Sequence, residues 1–476
     1  MKIVVCTDVH LGFEEKDPIR SIDSYAAFEE VLQRANAMQA DLVLVGGDLF
    51  HDQSPSTECF NRTLELLSAQ VLGQRTSLEV ISESRVNWDV PDVSIRLPVM
   101  SIHGNHDEPL IETGVSALHL LDSSKLLTYL RHESFEGQLH VRPVVVRKPG
   151  GCTVAVYGMG FVKDQILHQM FKEQLVVFHK ANADVHILLL HQNRYKGQGQ
   201  GTPHEYCLPE HWIPDFIDIV IWGNEHESMP DSQAFPIMKC RVIQPGSTVP
   251  TSLIAAEAKP KHAILIEAGW ERTEIITIPL TTPRQFFFTQ LELSEICRTS
   301  DEAEAYIRRL LDSFLSEAHG LPLIRIKAEV TGFEHVRVSQ INSEYSDKVA
   351  NKKVLATWKR RVVADTTSEV LLHCEKTELL DLIQDQINSM PLELFSPTLF
   401  QDALKASVEH GSSKDFDQLW DSRVSEMTQA CAEVELGALN ITEVLARLNF
   451  TQKKPQLKRC YDITTTEQTS KRLKFT

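Results

Sequence analysis

Leu97-Pro98-Val99-Met100-Ser101-Ile102-His103-Gly104-Asn105-His106-Asp107 is the stretch whose reading decides the fold. A short apolar run reads as a buried strand, and at its end come side chains able to ligate a metal or move a proton. The arrangement recurs along the first half of the chain. Ile3 to Cys6 leads to Asp8-Val9-His10, Leu42 to Val45 to Gly46-Gly47-Asp48, Val185 to Leu190 to His191, and Ile217 to Trp222 to Gly223-Asn224-Glu225-His226. Val154 to Tyr157 supplies a further strand. Between the first two strands Phe28, Val31, Leu32 and Ala35 fall at helical spacing, which predicts a helix packed on the sheet. Strands alternating with helices place the chain in the α/β class.

Any one Asp or His at a strand end is ordinarily a cap or a surface group. Five ordered motifs, each following an apolar strand, point instead to one metal site. Their mixed oxygen and nitrogen donors suit manganese, iron or zinc better than calcium or a thiolate site. Hydrolysing a phosphodiester requires an activated water, charge neutralisation and in-line geometry, which two ions about 4 Å apart bridged by a carboxylate can supply.

Composition narrows the function classes. A chain of 476 residues with 42% hydrophobic residues can bury a sizeable core in two or three domains. The net charge of −17 excludes a uniformly basic nucleic-acid coat, so any DNA contact is expected to be local. Nine dispersed cysteines without a C-x-x-C pair argue for a reducing compartment. No apolar run reaches bilayer length, and the expectation is a soluble intracellular protein without a membrane partner.

Helical stretches are expected around Phe60 to Leu72 and Ala117 to Leu130, as core helices or as a dimer interface. The segment from Gln74 to Arg96 reads as a loop or hairpin insertion. A boundary is placed near residue 290, before a helix around Glu302 to Glu317 and a strand from Leu323 to Val330. From about Thr377 amphipathic helices are expected, and beyond Asn449 a polar, Lys-rich tail.

In their order, D-x-H, GD, GNHD, H and GxxH resemble the calcineurin-like metallophosphoesterases. Asp8-Val9-His10-Leu11-Gly12, Gly47-Asp48-Leu49-Phe50-His51, His191-Gln192-Asn193-Arg194 and Gln244-Pro245-Gly246-Ser247 resemble the Mre-eleven family of double-strand-break repair nucleases in particular. The resemblance implies a four-layer α/β/β/α sandwich over residues 1–290, a smaller α+β capping domain over 291–375, C-terminal helices over 376–449 and a disordered basic tail over 450–476. It implies two Mn2+ ions. Asp8, His10, Asp48 and His226 would hold the first, and Asp48 would bridge to a second held by Asn105, His191 and position 224. His106 resembles the catalytic histidine, and His51 a second active-site histidine that positions the DNA end.

The chain departs from the family pattern at one ligand, since Asn224 stands where the first histidine of His-x-His is expected. An amide oxygen there is expected to loosen the second ion, leaving open a DNA-end scaffold without cleavage. A phosphomonoesterase on the same fold is the other alternative, although such phosphatases resemble one another in an Arg-Gly after GD, where this chain has Leu49-Phe50.

As partners the resemblance implies a second copy of the chain, DNA ends, a nibrin-type regulatory subunit and the Rad-fifty coiled-coil ATPase, with a nuclear location. Lys352, Lys353, Lys359, Arg360 and Arg361 are the expected DNA contacts of the capping domain, and Leu399, Phe400, Leu404, Phe416 and Trp420 the expected grip on the ATPase.

Overall fold

The computed structural model describes residues 1–194, 206–234, 240–333 and 335–359. The stretches where C-terminal helices and a basic tail are expected, with Arg360, Arg361, Leu399, Phe400, Leu404, Phe416 and Trp420, lie outside the described residues.

Two large sheets stacked face to face carry most of the chain to Pro279, and a small third sheet holds Val176–Phe178, Gln138–Val141 and Glu133–Phe135. The first runs in the order Glu274–Pro279, His262–Glu267, Lys2–Cys6, Leu42–Val45, Val99–Ser101 and Thr128–Tyr129. Its last four strands are mutually parallel, with Ile3 opposite Leu42, Val43 opposite Val99 and Met100 opposite Thr128. In the second sheet Thr153–Met159, Val185–His191, Ile219–Gly223 and Arg241–Gln244 are parallel, and Pro143–Arg147 joins antiparallel. Strands of Val, Ile and Leu without polar alternation are what a sheet covered on both faces requires.

One core joins the facing sides of the sheets, through Val4, Leu44, Val156, Ile187 and Ile221, and continues through the first sheet to Phe28, Val31 and Leu32 of helix Asp23–Ala37. Behind the second sheet Leu188, Leu190, Val220 and Trp222 pack with Leu167 of helix Asp164–Lys172. The four layers are therefore helix, sheet, sheet, helix, as the sequence leads one to expect.

Helix Thr57–Val71 matches expectation, with Ser56 accepting the Cys59 N–H as its N-cap. The helix expected from Ala117 to Leu130 is shorter. It ends at Ser123, Lys125 takes a left-handed φ of 64°, and Thr128–Tyr129 pairs into the sheet beside Met100 and Ser101. The insertion at 74–96 contributes a two-residue strand, Glu79–Val80, at the sheet edge and buries Trp88.

A separate three-stranded sheet of Phe286–Glu292, Leu323–Glu329 and Leu355–Trp358 packs on helix Ser300–Glu317 through Leu291, Ile326, Ile307 and Leu311. The junction expected near residue 290 falls inside its first strand. The linker before it is tied to the sandwich: Glu30 accepts N–H and hydroxyl bonds from Thr281 and Thr282, and the Arg284 guanidinium meets Asp23 at 2.8 Å. No helix among the described residues is long and apolar enough to cross a membrane.

Candidate metal centre

The C-terminal ends of five parallel strands, three from one sheet and two from the other, deliver the five motifs to one place. Backbone bonds zip the loops together: Asp8 N–H donates to Gly47 O at 3.1 Å and His10 N–H to Asp48 O at 3.0 Å. The Asn224 N–H reaches both carboxylate oxygens of Asp8, at 3.1 and 3.2 Å. Asp107 fastens two loops from behind, its carboxylate accepting from the N–H of Gly104 (2.7 Å), Leu49 (2.8 Å) and Phe50 (3.1 Å).

Four of the expected ligands sit in the left-handed region, at φ of 51° for Asp8, 54° for His10, 50° for Asp48 and 73° for Asn224. Outside glycine that region is sparsely populated, and a cluster of such residues marks a place where surrounding structure holds the backbone against its preference. The loops also need bare backbone. A methyl group on Gly104 would lie 2.0 Å from Asp48 Oδ1, and one on Gly47, at φ 96°, would meet the His191 ring at 2.3 Å.

Three overlapping clusters of donors result among the described residues, the third of them His10, His51 and His106. Asp8, His10 and His226 offer atoms all within 4.8 Å of one another, as do Asp8, Asp48 and His191. Beside the second, Asn105 Oδ1 lies 3.3 Å and Asp48 Oδ2 3.4 Å from His191 Nε2. Asp48 Oδ2 is buried and accepts no hydrogen bond among the described residues, an orphaned acceptor at the junction of the clusters. The imidazole nitrogens His10 Nε2 and His226 Nε2 face each other at 3.3 Å. Buried carboxylates with converging ring nitrogens fit divalent cations.

Neighbouring groups set the tautomers. Gly46 O can only accept, so His191 Nδ1 carries a proton there (2.8 Å), and in the neutral ring Nε2 is the nitrogen whose lone pair faces the cluster. Behind His226, Thr251 Oγ1 is 2.6 Å and Glu257 Oε1 3.6 Å from Nδ1. Glu257 is itself fixed by the N–H groups of Thr251 and Ser252 and by Lys261 at 3.7 Å.

Burial holds His10 far below the usual imidazole range against the pull of Asp48, with His226, His106 and His51 adding to the effect. It is a neutral donor. His191 goes the other way: burial opposes its charge, but Asp48 and Asp8 outweigh burial and push it up to about 9. Burial and then the Asp48 charge push Asp107 up to about 7. A pocket this rich in carboxylate draws positive charge.

The expected catalytic histidines border the first cluster. His106 N–H donates to Asp48 Oδ1 at 2.9 Å, and its Nδ1 lies 2.7 Å from the His51 carbonyl. The His51 and His106 rings stack at 4.9 Å, and His51 Nδ1 is 3.3 Å from His10 Nδ1. All nine expected metal and catalytic residues are thus brought into one site. The expected DNA contacts are not gathered in this way: exposed Lys352 and Lys353 precede strand Leu355–Trp358 and exposed Lys359 follows it. Sequence reasoning gave no part to Asp107, Thr251, Glu257 or Lys261. Asp107 stood within a quoted motif, whereas the other three reach the site only through folding.

Residues 1–228 match the calcineurin-like phosphoesterase family. Across the longer chain, the double-strand break repair protein MRE11 of Encephalitozoon cuniculi is 30% identical over 464 residues, covering 87% of this chain and 78% of that protein. The chain belongs to the MRE11 family. Among further MRE11 proteins, that of Oryza sativa subsp. indica is 33% identical, over 83% of this chain and 60% of its own length. The Homo sapiens protein is 31% identical, over 77% and 56%. The chain therefore spans about three fifths of the length of the plant MRE11 relatives it matches. Asp8, His10, Asp48, Asn105, His106, His191, Asn224 and His226 all lie within the phosphoesterase match, whereas Thr251, Glu257 and Lys261 lie beyond it.

Proposed function

We propose that this chain is a manganese-dependent DNA nuclease that processes double-strand-break ends, by 3'-5' exonuclease and endonuclease cleavage, within a nuclear complex. The observation that carries the reading is the pair of donor clusters that meet at Asp8 and Asp48, with orphaned Asp48 Oδ2 3.8 Å from His10 Nε2 and 3.4 Å from His191 Nε2. Asp8, His10, Asp48 and His226 would hold one Mn2+, and Asp48, Asn105, His191 and Asn224 the other. When bound, the ions supply an activated water and neutralise charge on the phosphate.

The remaining steps fall to the chain. The His51 carbonyl accepts a hydrogen bond from His106 Nδ1–H, which leaves Nε2 to carry a proton to the departing oxygen. Stacking on His51 and the Nδ1 bond to the His51 carbonyl keep that ring from turning away, and the backbone N–H on Asp48 fixes its loop. Asp107 holds both loops in register, so that a shift of one ligand loop would drag the other.

Partners belong to the same reading: a second copy of the chain, the Rad-fifty ATPase, a nibrin-type subunit and DNA ends. Support for the homodimer comes from exposed apolar side chains beside the expected helices, with Leu120 52% and Val115 40% exposed.

The test is cleavage of a labelled DNA end by the full chain with Mn2+. Activity should vanish with chelator, and His106→Gln should slow cleavage about 10²–10⁴-fold while retaining DNA binding. Hydrolysis of a phosphomonoester or phosphopeptide but not of DNA would overturn the nuclease reading. The Asn224 substitution favours a second reading, a DNA-end scaffold, which end-binding without cleavage at saturating Mn2+ would establish.

A further inference from the structure

Asn224 replaces a ring nitrogen by an amide, and an amide can present either of two atoms. Which one it presents is fixed from the opposite end of a short hydrogen-bond chain. Asp164, in the first turn of helix Asp164–Lys172, has an acceptor-only carboxylate when ionised. The Asn193 atom 2.7 Å from Asp164 Oδ2 must therefore be Nδ2, the donor. Asn193 Oδ1 is then turned the other way, where it accepts from Asn224 Nδ2 at 2.8 Å. With its NH2 committed there and its backbone N–H on the Asp8 carboxylate, Asn224 keeps Oδ1, which accepts no hydrogen bond among the described residues. Asn193 and Asn224 follow adjacent parallel strands, Val185–His191 and Ile219–Gly223, so the sheet register sets the spacing of the chain.

We propose that Asn224 is a working oxygen ligand of the second cation position, held in that role by Asp164 through Asn193, and that it tilts the position toward manganese or magnesium over zinc. The proposal rests on the two-metal reading of the site. With Asp48, Asn105 and His191, the amide makes a set of three oxygens and one nitrogen, where an imidazole would make two and two. Oxygen-rich sets suit harder cations, and each added imidazole moves a site toward zinc. It stands against the expectation of a merely loosened second position. Asp164 and Asn193 are positioning residues, acting through Asn224.

The test is calorimetric titration of the metal-stripped full chain with MnCl2 and with ZnCl2, with bound manganese counted by electron paramagnetic resonance. Wild type should bind two Mn2+ in resolvable steps. Asp164→Ala should weaken the second step about 10–100-fold and leave the first unchanged. Asp164→Asn, which keeps the bulk but lets either amide atom face Asn193, should weaken it less, and it serves if the alanine variant fails to fold. Asn224→His should raise the zinc-to-manganese affinity ratio of the second step about tenfold. An unaltered second step in folded Asp164 variants, an unaltered ratio in Asn224→His, or a single Mn2+ in wild type would each overturn the proposal. DNA cleavage is scored separately. A chain that binds metal as described but does not cut DNA keeps this inference and loses the nuclease reading, and a cutting chain indifferent to Asp164 does the reverse.

Discussion

Replacing Glu30 by Gln should cost about 3 kcal/mol at neutral pH, because this carboxylate is the knot between the sandwich and the linker to the second sheet. Its side chain is 8% exposed and accepts from the Thr281 and Thr282 N–H groups (2.8–3.0 Å), both threonine hydroxyls (2.7–2.8 Å) and Arg34 (2.7 Å). Burial works against the charge, but the bonds from Thr282, Arg34 and Thr281 outweigh it and hold the carboxyl at about 2, below an ordinary 4.5. At about 1.4 kcal/mol for each factor of ten, that difference is worth roughly 3 kcal/mol to the ionised folded state. The group is more acidic folded than unfolded, so its contribution is complete above about pH 4.5 and fades as the pH falls toward 2. The assay is urea unfolding of wild type and Glu30→Gln at pH values from 7 down to 3. The gap should hold steady from pH 7 to about 5.5 and then narrow. Equal stability at pH 7, or a gap of the same size at pH 3, would refute the account.

Asp107→Ala strands three buried backbone N–H groups, each costing about 1–3 kcal/mol, so the urea midpoint should fall and Mn2+ affinity with it. A variant as stable and as metal-tight as wild type would show that the loops hold their register without that carboxylate. Leu120→Asp, at a half-exposed helix position, should shift the chain from dimer to monomer in sedimentation at micromolar concentration with its melting transition retained. A monomeric wild type, or a dimer unaffected by the charge, would remove this face from the interface.

Much of the sandwich was legible because buried parallel strands are written as unbroken Val, Ile and Leu, and their ends as sudden polarity. The ligands were legible for the same reason, each lying within a few residues of a strand end. Where apolar residues continued past a break the reading overran: Leu126 and Leu127 prolong the helical pattern of 117–123, yet Lys125 at φ 64° has already turned the chain. Nothing local could reveal that break, since strand Thr128–Tyr129 exists only by pairing with Met100 and Ser101. Nor could composition single out Glu257, which reaches His226 from 31 residues along the chain (257 − 226), or Glu30, an acidic residue in a helix whose partners stand at 281 and 282. Supporting groups of this kind carry no motif because their geometry comes from tertiary packing.

The left-handed backbone at Asp8, His10, Asp48 and Asn224 limits which residues can ever replace these four. Besides glycine, Asn, Asp and His are the types that enter that region most readily, and β-branched or bulky side chains do so at a steep steric cost. At such positions the residues the backbone tolerates are also residues able to bind a metal. Sequence drift through this site is therefore channelled from one donor to another: a histidine position can become asparagine without disturbing the turn, while Val or Ile would break the loop as well as the ligand set. The mutations that fold most easily here are the ones that exchange one metal-binding side chain for another.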